Sequence, residues 1–226
     1  MRYSVYVFDF DYTLADATPG IVESINYALD QLGLGAGTRD EIRRTVGMTL
    51  QETFRVLTGI ADNRLTDSFT AHFKDMADKV MADNTVLFDD TTKVLAELKQ
   101  MNYNTAIVTS KFHYRINEVL FKYGISELID YIVGFEDVTE AKPSPEGLLN
   151  VIRHFGIDKE EILYVGDNLI DADAAAKAGV DFAAVTTGTT TYHEFAEFPY
   201  VCVATSLSEL FEYVIGYSNP NDARVG

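Results

Sequence analysis

Two carboxylates stand two residues apart where an apolar run ends, in Phe8-Asp9-Phe10-Asp11-Tyr12-Thr13-Leu14. Like charges at that spacing repel and raise a pKa. Acidic residues are common in loops, but here the run Val5 to Phe8 delivers both to a strand end. A cation relieves the repulsion, leaving one carboxylate as nucleophile and the other as proton donor and acceptor. A second apolar run ends the same way far downstream, in Val165-Gly166-Asp167-Asn168-Leu169-Ile170-Asp171. Asp171 follows Asp167 by one helical turn on the same face. A first-turn carboxylate complementing a helix dipole would account for Asp171, and for Asp173; it does not account for Asp167, which precedes the helix. Hard oxygen ligands from Asp9, Asp11 and Asp167 suit Mg²⁺, which keeps waters in the rest of its octahedron.

Two further segments offer groups for an anion. In Ala141-Lys142-Pro143-Ser144-Pro145-Glu146, Ser144 and Pro145 read as N-cap and first helical residue, and Pro143 stiffens the approach. Lys142 is then a cation held ahead of a helix; alone it would be an ordinary surface lysine, but beside an acidic cluster it balances charge and grips a phosphoryl oxygen. In Ile107-Val108-Thr109-Ser110-Lys111, hydroxyls at a strand end precede free helix-start amides, which hold phosphate. Thr and Ser end many strands, so this segment says little by itself. The histidines at 72, 113, 154 and 193 lack metal-type spacing and read as surface or core fillers. Cys202, the one cysteine, lies in an apolar run and reads as a buried, inert thiol.

These groups need a frame that brings strand ends together. Val5 to Phe8 reads as a buried strand. Beyond residue 84, strands at Thr105 to Val108, Tyr131 to Val133, Ile162 to Val165, Phe182 to Val185 and Tyr200 to Val203 alternate with amphipathic helices. That alternation predicts an α/β fold, a doubly wound parallel sheet covered on both faces, with the ligand site at the carboxyl ends of the strands. Residues 15–84 interrupt the pattern. Thr18-Pro19 reads as N-cap and first helical residue. Every periodic segment after it is helical, including Ile21, Ile25, Ala28, Leu29 and Leu32, then Phe69, Phe73, Met76 and Val80, and no strand is evident. The expected organisation is a core of residues 1–14 and 85–226 with a helical cap of residues 15–84 over the strand ends, hinged at residues 15–18 and 83–86. The Thr-rich patch from Thr186 to Thr191 reads as a loop.

Composition narrows the partners. The 226-residue length fits one ordinary domain, or one domain carrying a smaller insert. A net charge of −17 repels nucleic acid and anionic membrane surfaces, yet a bound cation inverts the local field for a small phosphate. The opening Met1-Arg2-Tyr3-Ser4 is no signal peptide pattern, and no run is long enough to span a bilayer. A cytoplasmic protein with no nucleic-acid or membrane partner is expected; oligomeric state is not readable.

Taken in order, Asp9-x-Asp11-x-Thr13, Thr109, Lys142 and Gly166-Asp167-x-x-x-Asp171 resemble the four motifs of the haloacid dehalogenase superfamily across nearly the whole chain. The helical insert resembles the C1 cap. The runs Ala17 to Ile21, Val46-Gly47-Met48, Lys142-Pro143-Ser144-Pro145 and Gly166-Asp167-Asn168 are similar to the phosphoglycolate phosphatase-like branch. The resemblance implies a Rossmann-like core and a Mg²⁺-dependent phosphatase that forms a phospho-aspartate. It makes Asp9 nucleophile and metal ligand. Asp11 becomes general acid and base, with its backbone carbonyl on the metal. Thr109 binds the phosphoryl group, Lys142 neutralises it and orients Asp9, and Asp167 and Asp171 hold metal, Asp171 directly or through water. Thr13 and Ser110 join the substrate-binding positions, and Arg43, Arg44 and Met48 are the expected cap contributions, against the plainer reading of a solvated helix end. Tyr12 departs from the glycine common in this branch. The implied substrate is a small phosphorylated metabolite, phosphoglycolate first, with sugar phosphates, nucleoside monophosphates and pyrophosphate behind. Two alternatives stand lower: a sugar phosphomutase, which carries a His early in the cap that residues 15–24 lack, and a non-catalytic binding protein, which loses motif residues that are intact here.

Overall fold

The structure, a computed structural model, describes residues 2–217. Residue 1 and residues 218–226, which fall within the expected core segments, lie outside the described residues.

Period-2 alternation decides how the first strand is covered. Val5 and Val7 of β1 (Val5–Phe8) belong to one buried cluster, and Tyr6 and Phe8 to another. A strand buried on both faces needs a neighbour on each edge. β1 pairs in parallel with β4 (Asn104–Val108) and with β6 (Ile162–Gly166). β5 (Tyr131–Val133) flanks β4, while β7 (Asp181–Val185) and β8 (Val203–Ala204) extend the other side. The six-stranded order is β5-β4-β1-β6-β7-β8, parallel throughout. Helices α5 (Thr91–Gln100), α6 (His113–Lys122) and α9 (Leu207–Tyr217) cover one face; α7 (Glu146–Phe155) and α8 (Leu169–Ala178) cover the other. This is the doubly wound α/β fold the alternation predicts. Strand order reverses at β1, so a crevice opens where Asp9, Thr109 and Asp167 leave their strands.

Between β1 and α5 the chain builds α1 (Thr18–Gln31), α2 (Arg39–Arg43), α3 (Leu50–Thr58) and α4 (Asn63–Val80). Their apolar stripes bury a core of their own around Ile25, Leu29, Ile42, Phe54, Phe69 and Phe73. Thr38 and Thr49 each close a capping box with a Glu three residues on.

Local details differ from the sequence reading. Residues 15–84 do begin with a strand: β2 (Ala15–Asp16) pairs antiparallel with β3 (Val86–Leu87), joining the segment's entry to its exit. Two residues are too short a run for periodicity to reveal. Thr18 is the first residue of α1 rather than its cap; its N–H donates to Asp16 Oδ1 at 2.8 Å, so the capping carboxylate comes from two residues upstream. The helix after Lys142 begins at Glu146, one residue late, although the Ser144 hydroxyl still accepts from Glu146 N at 3.3 Å. The last strand is Val203–Ala204 rather than a run from Tyr200.

Candidate active site

The loop after β1 doubles back at once. Phe10 O accepts from Thr13, Leu14 and Ala15 N–H groups, and Tyr12 N–H donates to Ala15 O at 2.7 Å. This turn puts Tyr12 at φ 62°, the left-handed region that glycine occupies without cost and tyrosine does not. Compensation comes from contacts: Tyr12 Oη meets Thr18 Oγ1 at 2.6 Å, Thr187 Oγ1 donates to the Tyr12 carbonyl, and the Arg43 guanidinium stands 5.5 Å from the ring centroid.

Asp9 leaves the sheet at 4% exposure. Lys142 Nζ donates to Asp9 Oδ1 at 2.8 Å and to Asp171 Oδ1 at 2.6 Å, and it lies 3.1 Å from Tyr164 Oη. Tyr164 in turn donates to Asp171 Oδ1 at 2.8 Å. Asp171 serves two purposes, since its Oδ2 also accepts from Asn168 N at 3.1 Å and closes the capping box of α8. Asp171 thus starts the helix and also stands beside Asp9 and Asp167. The loop that carries Lys142 is tied down by the Glu146 carboxylate, which accepts from Thr139 N at 3.0 Å and Glu140 N at 2.9 Å.

Carboxylate oxygens of Asp9, Asp167 and Asp171 lie within 4.8 Å of one another, and all three residues are buried. Burial pushes the Asp9 carboxyl up to about 6, with Lys142 opposing and Asp171 adding to the rise. Burial, then Asp171 and Asp9, push Asp167 well above the ordinary carboxylate range. Burial alone would lower the Lys142 ammonium, but Asp171 and Asp9 hold it above the ordinary lysine value. One ammonium does not neutralise three converging carboxylates. A cavity of about 10 Å³ opens among Asp9, Asp11, Asp167 and Asp171, which is room for one water-sized species. Hard oxygen donors, excess negative charge and a site of that size fit Mg²⁺. Two glycines make the convergence possible. A Cβ on Gly166 would lie 2.5 Å from Asp171 Cβ, and one on Gly188 would lie 1.9 Å from Asp167 Oδ2.

Asp11 points elsewhere. Both its oxygens accept from Lys111 Nζ at 2.8 Å. Asp9, Asp11, Thr109, Ser110 and Lys111 line one wall of a larger cavity, about 520 Å³, roofed by residues of α1, α3, α4 and the 45–49 loop. Of the expected substrate positions, Met48, Thr109 and Ser110 line it. Thr13 does not: it is fully buried beneath the site, 3.4 Å from Asp167 Oδ1. Neither Arg43, which stacks on Tyr12, nor Arg44, which is exposed at the helix end, reaches the wall. Among the described residues, the arginine that does line it is Arg115 of α6.

Several site residues escaped the sequence reading. Lys111 followed Thr109-Ser110 in plain view, but its partnership with Asp11 spans 100 positions. Tyr164 was one polar group in an otherwise apolar strand. Gly188 lay in the Thr-rich patch, which is a loop and also the wall against Asp167. The histidines pack or pair away from the cluster, with His113 on Asp137 at 3.0 Å and His154 stacked on Tyr131.

A parallel sheet with Asp9, Thr109, Lys142 and Asp167 converging at its switch point defines a class of hydrolase fold. Residues 6–185 match the family model of haloacid dehalogenase-like hydrolases, and the chain belongs to that family. It is 29% identical over 184 residues to pyrophosphatase PpaX of Bacillus velezensis, covering 81% of this chain and 83% of the relative. It is also 29% identical over 211 residues to a phosphoglycolate phosphatase of Photorhabdus laumondii, covering 92% and 90%. A crystal structure of a haloacid dehalogenase-like hydrolase from Bacteroides fragilis matches at TM-score 0.90 and 44% identity, covering 92% of this chain and 100% of that one. Among the described residues no helix is long and apolar enough to cross a membrane.

Proposed function

We propose that the chain is a Mg²⁺-dependent phosphatase that hydrolyses a small phosphorylated metabolite through a phospho-aspartate on Asp9. The observation that carries this reading is the set of contacts at Asp9: a buried carboxylate held by Lys142 beside Asp167 and Asp171, at the floor of a cavity that Asp11 also lines. Asp9, Asp167 and Asp171 would hold the cation by carboxylate oxygens, and Asp11 would add its backbone carbonyl. When bound, Mg²⁺ offsets the charge of the carboxylates and of the transferring phosphoryl group.

In the first half-reaction an Asp9 oxygen attacks phosphorus and the bond to the leaving oxygen breaks, while Asp11 gives that oxygen a proton. In the second, water attacks phosphorus, the Asp9–phosphorus bond breaks and Asp11 takes the water's proton. Lys111, on both Asp11 oxygens, fixes where that carboxylate points. Thr109 and Ser110 offer hydroxyls to the phosphoryl oxygens, and Lys142 keeps Asp9 oriented. The helical segment roofs the cavity against bulky substrates, so a small phosphomonoester is favoured. Phosphoglycolate stands first and pyrophosphate behind it, and relatives named phosphoglycolate phosphatase and pyrophosphatase support both as substrates.

The test is hydrolysis of p-nitrophenyl phosphate with Mg²⁺, before and after chelation, with mass spectrometry of Asp9 after rapid quenching. Turnover that vanishes on chelation and returns with Mg²⁺, together with a phosphorylated Asp9 peptide, is expected. Full activity after exhaustive chelation, or a phosphate on another residue, would refute it.

A further inference from the structure

Tyr164 is the one polar side chain in the β6 run Ile162-Leu163-Tyr164-Val165-Gly166. It is fully buried, in the apolar cluster that holds Val5, Val7 and Phe182. A buried phenol needs partners for its hydroxyl, and this one finds them where three segments meet. Its Oη lies 3.1 Å from the Val108 carbonyl at the end of β4, 3.1 Å from Lys142 Nζ and 2.8 Å from Asp171 Oδ1. A hydroxyl has a single proton to give. Asp171 Oδ1, the charged and nearer acceptor, takes it, and the Lys142 ammonium donates to the hydroxyl oxygen.

The acceptor positions of Asp171 are then nearly all taken. An ionised carboxylate offers about four, two on each oxygen. Lys142 at 2.6 Å and Tyr164 at 2.8 Å fill those of Oδ1, and Asn168 N at 3.1 Å takes one on Oδ2. What is left is a single position on Oδ2. The ammonium of Lys142 is spent in the same way, on Asp9, Asp171 and the Tyr164 hydroxyl. We propose that Tyr164 is a positioning residue. Its hydroxyl turns Asp171 so that Oδ2 is the oxygen left for a cation, and it holds Lys142 between Asp171 and Asp9. This rests on the phosphatase reading and adds to it a residue that lines neither the larger cavity nor the smaller one, and so touches neither substrate nor cation.

Tyr164→Phe removes the hydroxyl alone and keeps the ring, whose centroid is 6.2 Å from that of Phe182. In the full-length chain, calorimetric titration of Mg²⁺ without substrate should show binding weakened by roughly 10-fold. Hydrolysis of p-nitrophenyl phosphate at saturating Mg²⁺ should lose roughly 10- to 100-fold in kcat, with KM within about threefold. Phosphoglycolate should show the same loss, because the residue meets no part of a substrate. Phe182→Leu is the control for packing: it should lower Tm and leave Mg²⁺ affinity and kcat within about twofold. Three results would overturn the proposal: Mg²⁺ affinity and kcat both unchanged in Tyr164→Phe, a loss confined to KM, or an equal loss in Phe182→Leu. A Tyr164→Phe chain that thermal denaturation shows to be unfolded would overturn it too, by making the residue a strut. A wild type that hydrolyses no p-nitrophenyl phosphate with Mg²⁺ would sink the phosphatase reading instead, and the Mg²⁺ titration alone would then decide on Tyr164.

Discussion

The two ends of the cavity are built on opposite terms. At the strand ends, Lys142, Tyr164, Asp171 and Asn168 interlock by hydrogen bonds, and the groups are held before any substrate arrives. Under the helical segment the wall mixes apolar side chains such as Met48 and Phe73 with polar ones such as Asn63, Asp67 and Thr70. The first end is preorganised for one chemistry. The second meets the part of a substrate that does not react, so under the proposed function selection between substrates belongs there.

That contrast is open to breakage by mutation. The largest effect is expected at Asp9: Asp9→Asn keeps the shape and should cost on the order of 10⁴-fold or more in kcat with every substrate. Steady-state kinetics on a folded variant check this, and residual turnover near the wild-type rate would remove Asp9 as nucleophile. Asp11→Asn should lose about 10²–10⁴-fold, again regardless of the tail, since proton transfer is typically worth that much.

Lys142 sharpens the comparison because it joins chemistry to stability. Lys142→Ala should lower stability as well as rate: removing an ammonium of 6% exposure leaves Asp9 and Asp171 facing each other, and losing one member of a buried pair costs about 3–5 kcal/mol. Thermal denaturation should show a drop in Tm that Mg²⁺ partly restores. An unshifted Tm would mean that the charges are not coupled as described.

On the cap side the effects should be smaller and substrate-dependent. Met48→Ala should change kcat/KM by about 10-fold for some phosphates and little for others, the scale of a few methylenes in a pocket. Arg44→Ala, at an exposed helix end, should leave every substrate within about twofold, as surface changes usually do. A uniform loss in Met48→Ala would erase the distinction between the two ends.

The contrast also explains what the sequence made legible. The strands and the motif residues at their ends could be read because each strand is an apolar run that ends in a polar group. Asp9 and Asp167 announce themselves this way, and neighbouring parallel strands must bring their ends together. Lys111–Asp11 and Arg115–Asp78 could not be read so, because each joins distant segments through side-chain reach rather than periodicity. Arg43 and Arg44 looked right by charge and position, but a helix end fixes neither side chain's direction, and the ring of Tyr12 claimed Arg43. Gly188 carried no signal because its role is to leave room.

The pairing of Ala15–Asp16 with Val86–Leu87 bears on how such a molecule varies over generations. Covalently, the sheet is joined to everything between those two strands through a single pair of adjacent chain ends. Closing a flexible loop grows only slowly dearer with length, by about 0.6 kcal/mol for each doubling, and here the ends are already closed. Whatever is spliced between them, longer, shorter or folded differently, leaves the register of β1 against β4 and β6 untouched. The segment between them can thus vary in length while the chain path through the sheet stays the same.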